Sequence, residues 1–118
     1  MIINAEVFQL EEDYDNNLWR IDFRDEKQNL RGKIEIPSKI LDMKDRKKFQ
    51  VEILPNVGDK PTFKDELIAF NAINIRTKSV GKDRVYTFSA GGLMVRLFTT
   101  KVIKQFKLPL KEFSIIVR

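Results

Sequence analysis

The chain has 118 residues, of which 22 are Lys or Arg and 17 are Asp or Glu, giving a net charge of +5 and a pI near 9.5. That length suits one domain, residues 1–118, burying roughly two-thirds of its unfolded surface, and 42% hydrophobic residues, nine of them Phe, supply a core. With no Cys and no His, disulfides, thiolate zinc sites, thiol nucleophiles, His-based triads and His-ligated metals are excluded together, leaving carboxylate, Lys, Tyr or hydroxyl chemistry.

Period-two alternation dominates the chain. Residues 2–10 are β-rich with imperfect alternation. Then Trp19, Ile21 and Phe23 alternate with Arg20, Asp22 and Arg24, and Leu30, Gly32, Ile34 and Ile36 alternate with Arg31, Lys33, Glu35 and Pro37. Phe49, Val51 and Ile53 do the same against Lys48, Gln50 and Glu52. Such patterns put one face in a core and the other in water, as half-buried antiparallel strands do. Residues 67–76 are mostly apolar with Asn71 and Asn74 interrupting, which reads as a strand covered on both faces or one that changes face at a bend. Residues 84–89, 93–98 and 113–117 complete eight expected strands, a spacing typical of an all-β barrel or sandwich. The one helix candidate is short, with Ser38 as N-cap and 39–44 following.

Connections divide into short and long. Residues 11–17 form an acidic turn, 25–29 a polar one and 80–82 a tight turn around Gly81. Residues 55–66, with Pro55, Gly58 and Pro61, are the longest irregular stretch and the expected mobile loop, too short and polar for a second core. In the second long connection, 99–111, Pro109 argues against a continuous strand. No internal repeat is evident. The apolar runs fall far short of the roughly 18 residues of a membrane span. Met1-Ile2-Ile3-Asn4-Ala5-Glu6 lacks a basic flank and a small-residue cleavage site, so no secretory signal is expected.

The net charge conceals an asymmetry. Residues 1–59 hold 10 basic and 13 acidic side chains, a net of −3, whereas 60–118 hold 12 basic and 4 acidic, a net of +8. This suggests one basic surface able to attract nucleic acid or an acidic protein, or else a solvated Lys-rich face that serves solubility.

Several motifs have both a chemical and a structural explanation. Asp13, Asp15 and Asn17 have the spacing of the first three ligands of an EF-hand loop, but Leu18 stands where that loop needs Gly and Arg24 where it needs Glu. An acidic hairpin turn is the better account. The adjacent acids Glu11–Glu12 and Asp65–Glu66 do not converge, because neighbours on a strand point to opposite faces. Gly91–Gly92 lacks the Lys-Ser/Thr and following helix of a phosphate loop. The pair reads as a two-residue hairpin turn, or as a glycine bulge that opens a strand's backbone to a partner. Tyr86 and Phe88 with Arg84, and Phe98 with Arg96 and Met94, share strand faces; exposed, they would form a stacking platform for single-stranded nucleic acid, and buried, they would fill the barrel. No catalytic residue, metal or cofactor is assigned.

One block resembles a known family. Ser89-Ala90-Gly91-Gly92-Leu93-Met94-Val95-Arg96-Leu97 resembles the Gly-Gly-Leu-Leu-Met-Arg-Leu signature near the C-terminus of the eighth subunit of eukaryotic-type RNA polymerases. Phe8 through Trp19 resembles that family's opening strand, acidic turn and second strand. The run from Phe49 to Pro55 resembles its strand ending in a Tyr-Pro step, and Phe113 through Val117 its last strand. Val95 stands where the eukaryotic signature has Met, and the long acidic insertion is missing at about 55–66; the short form is similar to the archaeal version.

The resemblance implies an eight-stranded antiparallel Greek-key barrel, OB-fold-like, and a non-catalytic peripheral subunit of DNA-directed RNA polymerase in the cytoplasm. Its partner would be the largest subunit within the polymerase complex, with catalysis in the large magnesium-bearing subunits and no direct sequence-specific contact to nucleic acid. The docking site then expected comprises Gly91 and Gly92 for close backbone approach, Leu93 and Met94 as apolar anchors, and Arg84, Arg96 and Lys101 as a charged surround. The rival reading is a free-standing OB-like module that binds single-stranded DNA or RNA through the basic half.

Overall fold

A pleated strand sends successive side chains to opposite faces, so the apolar faces carrying Trp19, Ile21 and Phe23 or Leu30, Ile34 and Ile36 are hidden when the sheet curls around them. A computed structural model describes residues 1–55, 62–64, 67–106 and 112–118. Its strands are β1 (Ile2–Asp13), β2 (Leu18–Asp25), β3 (Leu30–Pro37), β4 (Lys48–Pro55), β5 (Thr62–Lys64), β6 (Leu67–Val80), β7 (Asp83–Ala90), β8 (Leu93–Thr99) and β9 (Glu112–Val117). Two 3-10 turns, Glu26–Gln28 and Lys104–Phe106, are the helical elements among the described residues. None is long and apolar enough to cross a membrane.

The order β5-β6-β7-β8-β3-β2-β1-β4-β9, with a further β6–β9 pairing, closes eight strands into a ring and leaves β5 as a short flap on β6. Every pairing is antiparallel. The chain is therefore all-β, an OB-fold-like barrel. The meander β1-β2-β3 with β4 returning beside β1 is a Greek key. The meander β6-β7-β8 with β9 returning beside β6 repeats that topology, and the two keys join at the β3–β8 and β4–β9 pairs.

Each key's long crossover carries side chains back into the barrel. The β3–β4 connection buries Leu41 and Met43, and the indole N–H of Trp19 donates to the Leu41 carbonyl at 2.9 Å. The β8–β9 connection buries Phe106, edge-on to Tyr86, Phe88 and Phe113 with ring centroids 5.6, 5.0 and 5.1 Å away. The Tyr86 hydroxyl accepts the Ile103 N–H at 2.8 Å, and the Asn74 side chain donates to the Phe106 carbonyl. In each key a polar atom on the second strand's aromatic ring thus fixes the crossover.

The short helix expected after Ser38 is absent; residues 38–47 are turns, a bend and irregular backbone. Leu41 and Met43 are both buried at a spacing of two, which would place them on opposite sides of a helix. Six residues are also few for a helix nucleus. β5 was not expected from sequence. It lies within the stretch read as a loop, whose remaining residues 56–61 and 65–66 fall outside the described residues, as does Pro109.

Two bulges explain the imperfect alternation. In β1 the register shifts between Val7 and Gln9, so that Gln9 follows Phe8 to the outer face. In β6 it shifts between Asn74 and Arg76, so this strand changes face at a bend, one of the two readings its sequence allowed. Gly32 marks the tightest point of the wall: an added Cβ would overlap the Phe23 ring and lie 2.9 Å from the Arg96 carbonyl oxygen. Phe23 is buried and packs edge-on against Phe49 at 5.4 Å, so it has nowhere to retreat. Gly32→Ala should lower folding stability by about 1–3 kcal/mol through overpacking, read from urea denaturation midpoints. An unchanged midpoint would show that the wall yields at this position.

Candidate interaction surfaces

β7 and β8 meet at Gly91–Gly92, with Ala90 registered on Leu93 and Ser89 on Met94. Both glycines have positive φ, 59° and 101°, the backbone of a two-residue primed turn that glycine adopts at least cost. The alternative glycine bulge is not what forms. A Cβ at either glycine would meet nothing within 4 Å, so the tip presents bare backbone. Behind it Leu93 and Met94 are half-buried.

The β3–β8 ladder reaches only Ile34–Val95 at this end. Beyond it the Met94 N–H donates to a carboxylate oxygen of Glu35 at 3.0 Å. The other Glu35 oxygen accepts from Arg20 Nε at 3.1 Å, and Arg20 pairs with Asp13 at 2.9 Å. A chain of charge-assisted contacts, Asp13–Arg20–Glu35, therefore anchors the base of the hairpin across three strands.

The seven residues expected to form one docking site do not gather. Gly91, Gly92, Leu93 and Met94 lie together at the tip. Arg84 is registered on Thr99, six residues from Ala90, which at about 3.3 Å per residue places it roughly 20 Å away. Lys101 follows Thr99 at the same remote end and donates its N–H to the Thr99 hydroxyl at 3.1 Å. Arg96 lies midway, exposed, opposite Lys33 on β3 and Thr87 on β7. Residues adjacent in sequence to a hairpin turn run away from it at the strand rise; sequence proximity gave no reason to expect a cluster.

The aromatic residues divide in an equally informative way. Tyr86 and Phe88 are 1% and 0% exposed and fill the barrel. Phe98 is half-exposed on the outer face, with the Arg31 guanidinium 5.0 Å from its centroid. Sequence reasoning missed Phe8, which is 64% exposed with the Arg24 guanidinium stacked 3.9 Å above its ring. Its signal was parity, since Phe8 continues the outward series Ile2, Asn4 and Glu6. Register aligns Arg24, Arg31 and Phe98 in one row across β2, β3 and β8. Phe8, Arg24, Arg31, Lys33, Phe98 and the acid Asp22 line an open groove of about 290 Å³.

The acidic turn holds itself together. Asp13 accepts the Asn16 side-chain amide at 2.9 Å and the Asn16 backbone N–H at 3.1 Å, and Asn17 takes a left-handed φ of 54°. Among the described residues no group of three Asp or Glu is placed to hold a metal; Asp65 and Glu66 lie outside them. Asn16's side chain, then its backbone N–H, with help from Arg20, holds the Asp13 carboxyl below its ordinary value. In comparisons with known proteins, no family model matches this chain and no curated protein matches it.

A carboxyl depressed in the folded state stabilises it above the unfolded value near 3.9, and that contribution disappears as pH falls through the folded value. Asp13→Asn should therefore be less stable than wild type at pH 7, with the gap narrowing as pH falls from about 4 towards 2. Denaturation midpoints across that range test this; a gap independent of pH would contradict it.

Proposed function

We propose that this chain is a non-catalytic, peripheral subunit of a multisubunit DNA-directed RNA polymerase that docks on the largest subunit through the tip of the β7–β8 hairpin. The observation behind this reading is the run at 89–97, which resembles the eighth-subunit signature and falls at a turn whose glycine backbone stands in open space. The Greek-key, OB-like barrel is the architecture that the resemblance implies, which adds support at the level of the fold. The short form, without a long acidic insertion, favours the archaeal version working in the cytoplasm.

The mechanism is one of fit. With no side chains at Gly91 and Gly92, a partner's backbone reaches van der Waals contact with the turn. Leu93 and Met94 supply apolar anchors, and because Glu35 already holds the Met94 N–H, little ordering cost falls on association. Interface energy concentrates in such anchors. Arg96 adds charge beside them. Arg84 and Lys101, at the opposite end of the hairpin, have no part in the same contact. Nucleotidyl transfer belongs to the large subunits.

Gly91→Asn separates docking from folding, since Asn accepts a φ near 59° and Asn-Gly is a favoured hairpin turn. Its melting temperature should stay near wild type while its incorporation into reconstituted polymerase falls about tenfold or more, the effect of blocking an anchor region. Gly92→Val should lose both stability and incorporation, and Lys101→Ala neither. Wild-type incorporation of Gly91→Asn would place the docking surface elsewhere.

A further inference from the structure

We propose that the outer face of β1, β2, β3 and β8 binds single-stranded nucleic acid, with Phe8 and Phe98 stacking on bases and Arg24, Arg31, Lys33 and Arg96 meeting phosphates. This goes beyond the docking reading and does not depend on it.

The face is built in rows by register. Arg24, Arg31 and Phe98 form one row, and Asp22, Lys33 and Arg96 the next. Phe8 enters from β1 by ordinary alternation, continuing the outward series Ile2, Asn4 and Glu6, and the bulge that follows it brings Gln9 to the same face. A large ring is thus left 64% exposed on the outer face.

Both rings already show which partner suits them. Each has a guanidinium on its face, Arg24 on Phe8 at 3.9 Å and Arg31 on Phe98 at 5.0 Å. A ligand carrying both flat π surfaces and negative charge matches alternating rings and guanidinium planes, and unpaired bases on a phosphate backbone are such a ligand. Strands about 4.8 Å apart put β1 and β8 roughly 14 Å from each other, a span of a few nucleotides. A duplex hides its bases, and an acidic peptide offers the rings nothing to stack on.

The acids nearest these cations each stand against one of them, and exposed Glu6 lies directly across the β1–β2 pair from Arg24. Asp83 pairs with Arg31 at 3.1 Å. Asp22 lies directly across the β2–β3 pair from Lys33 and directs a phosphate towards the Lys33–Arg96 side of the groove.

The test is fluorescence anisotropy of labelled twelve-nucleotide oligo(dT) and oligo(U) with the full chain, against a duplex of equal length. Single strands should bind more tightly than duplex. With three to four phosphates neutralised, log K should fall against log[salt] with a slope of about −2 to −3. Phe8→Ala, at an exposed position, should leave the melting temperature unchanged and weaken binding about tenfold. Lys33→Ala and Arg96→Ala should each flatten the slope by about 0.7. Arg76→Ala and Lys78→Ala, exposed cations on β6, should change neither quantity. Equal affinity for duplex, wild-type binding by Phe8→Ala, an equal loss in the β6 variants, or displacement by polyglutamate at matched charge would each overturn the proposal.

Discussion

Ring closure governs this molecule. Once β6 pairs with β9 and β3 with β8, inner and outer faces are defined for every residue of eight strands, and a one-residue slip in any of them would exchange core for surface. The wall has little slack where Phe23 occupies the space that a side chain at position 32 would need. The crossovers add further side chains to the interior, with Leu41 and Met43 contributed by one and Phe106 by the other. A small barrel filled in this way keeps its interior for packing, so the surfaces left for partners are turns, crossovers and outer faces.

The same topology redistributes charge. Along the sequence the first half is acidic and the second strongly basic, which by itself suggests a single basic pole. The two Greek keys instead join β3 from the acidic half to β8 from the basic half. Lys33 and Arg96 thereby become neighbours although 63 positions separate them in the numbering. Basic residues after position 60 are also split, with Arg84 and Lys101 at one end of the β7–β8 hairpin and Arg96 near its middle. The molecule has a glycine tip anchored by an Asp13–Arg20–Glu35 relay on one hairpin and a ring-and-guanidinium face on the adjoining wall. The two surfaces adjoin along β8, where Arg96 lies between the tip and the ring-and-guanidinium face.

The barrel was legible because its evidence is local. Alternation at Trp19–Phe23, Leu30–Ile36 and Phe49–Ile53 fixes both strand type and inward face, and the turn at Gly91–Gly92 follows from two adjacent residues that accept positive φ. What escaped the sequence depends on contacts made across the ring. The segment after Ser38 has helix-compatible residues, yet Trp19, 22 positions away, takes the Leu41 carbonyl. Gln9 follows Phe8 to the outer face only because one residue is bulged against β2. The docking residues were legible where the chain turns and not beyond, since Arg84 and Lys101 are near the glycines in sequence while the strand rise carries them about 20 Å away.

The central claim, that this barrel serves a transcribing enzyme as a fitted part with no reaction of its own, has one direct measurement. The chain, tagged at its native locus, is isolated from cells under mild conditions, and its companions are quantified by mass spectrometry together with DNA-templated RNA synthesis in the eluate. The account predicts the set of RNA polymerase subunits in near-equal amounts, and synthesis that the isolated chain alone does not perform. Recovery of the chain free of polymerase subunits would contradict it.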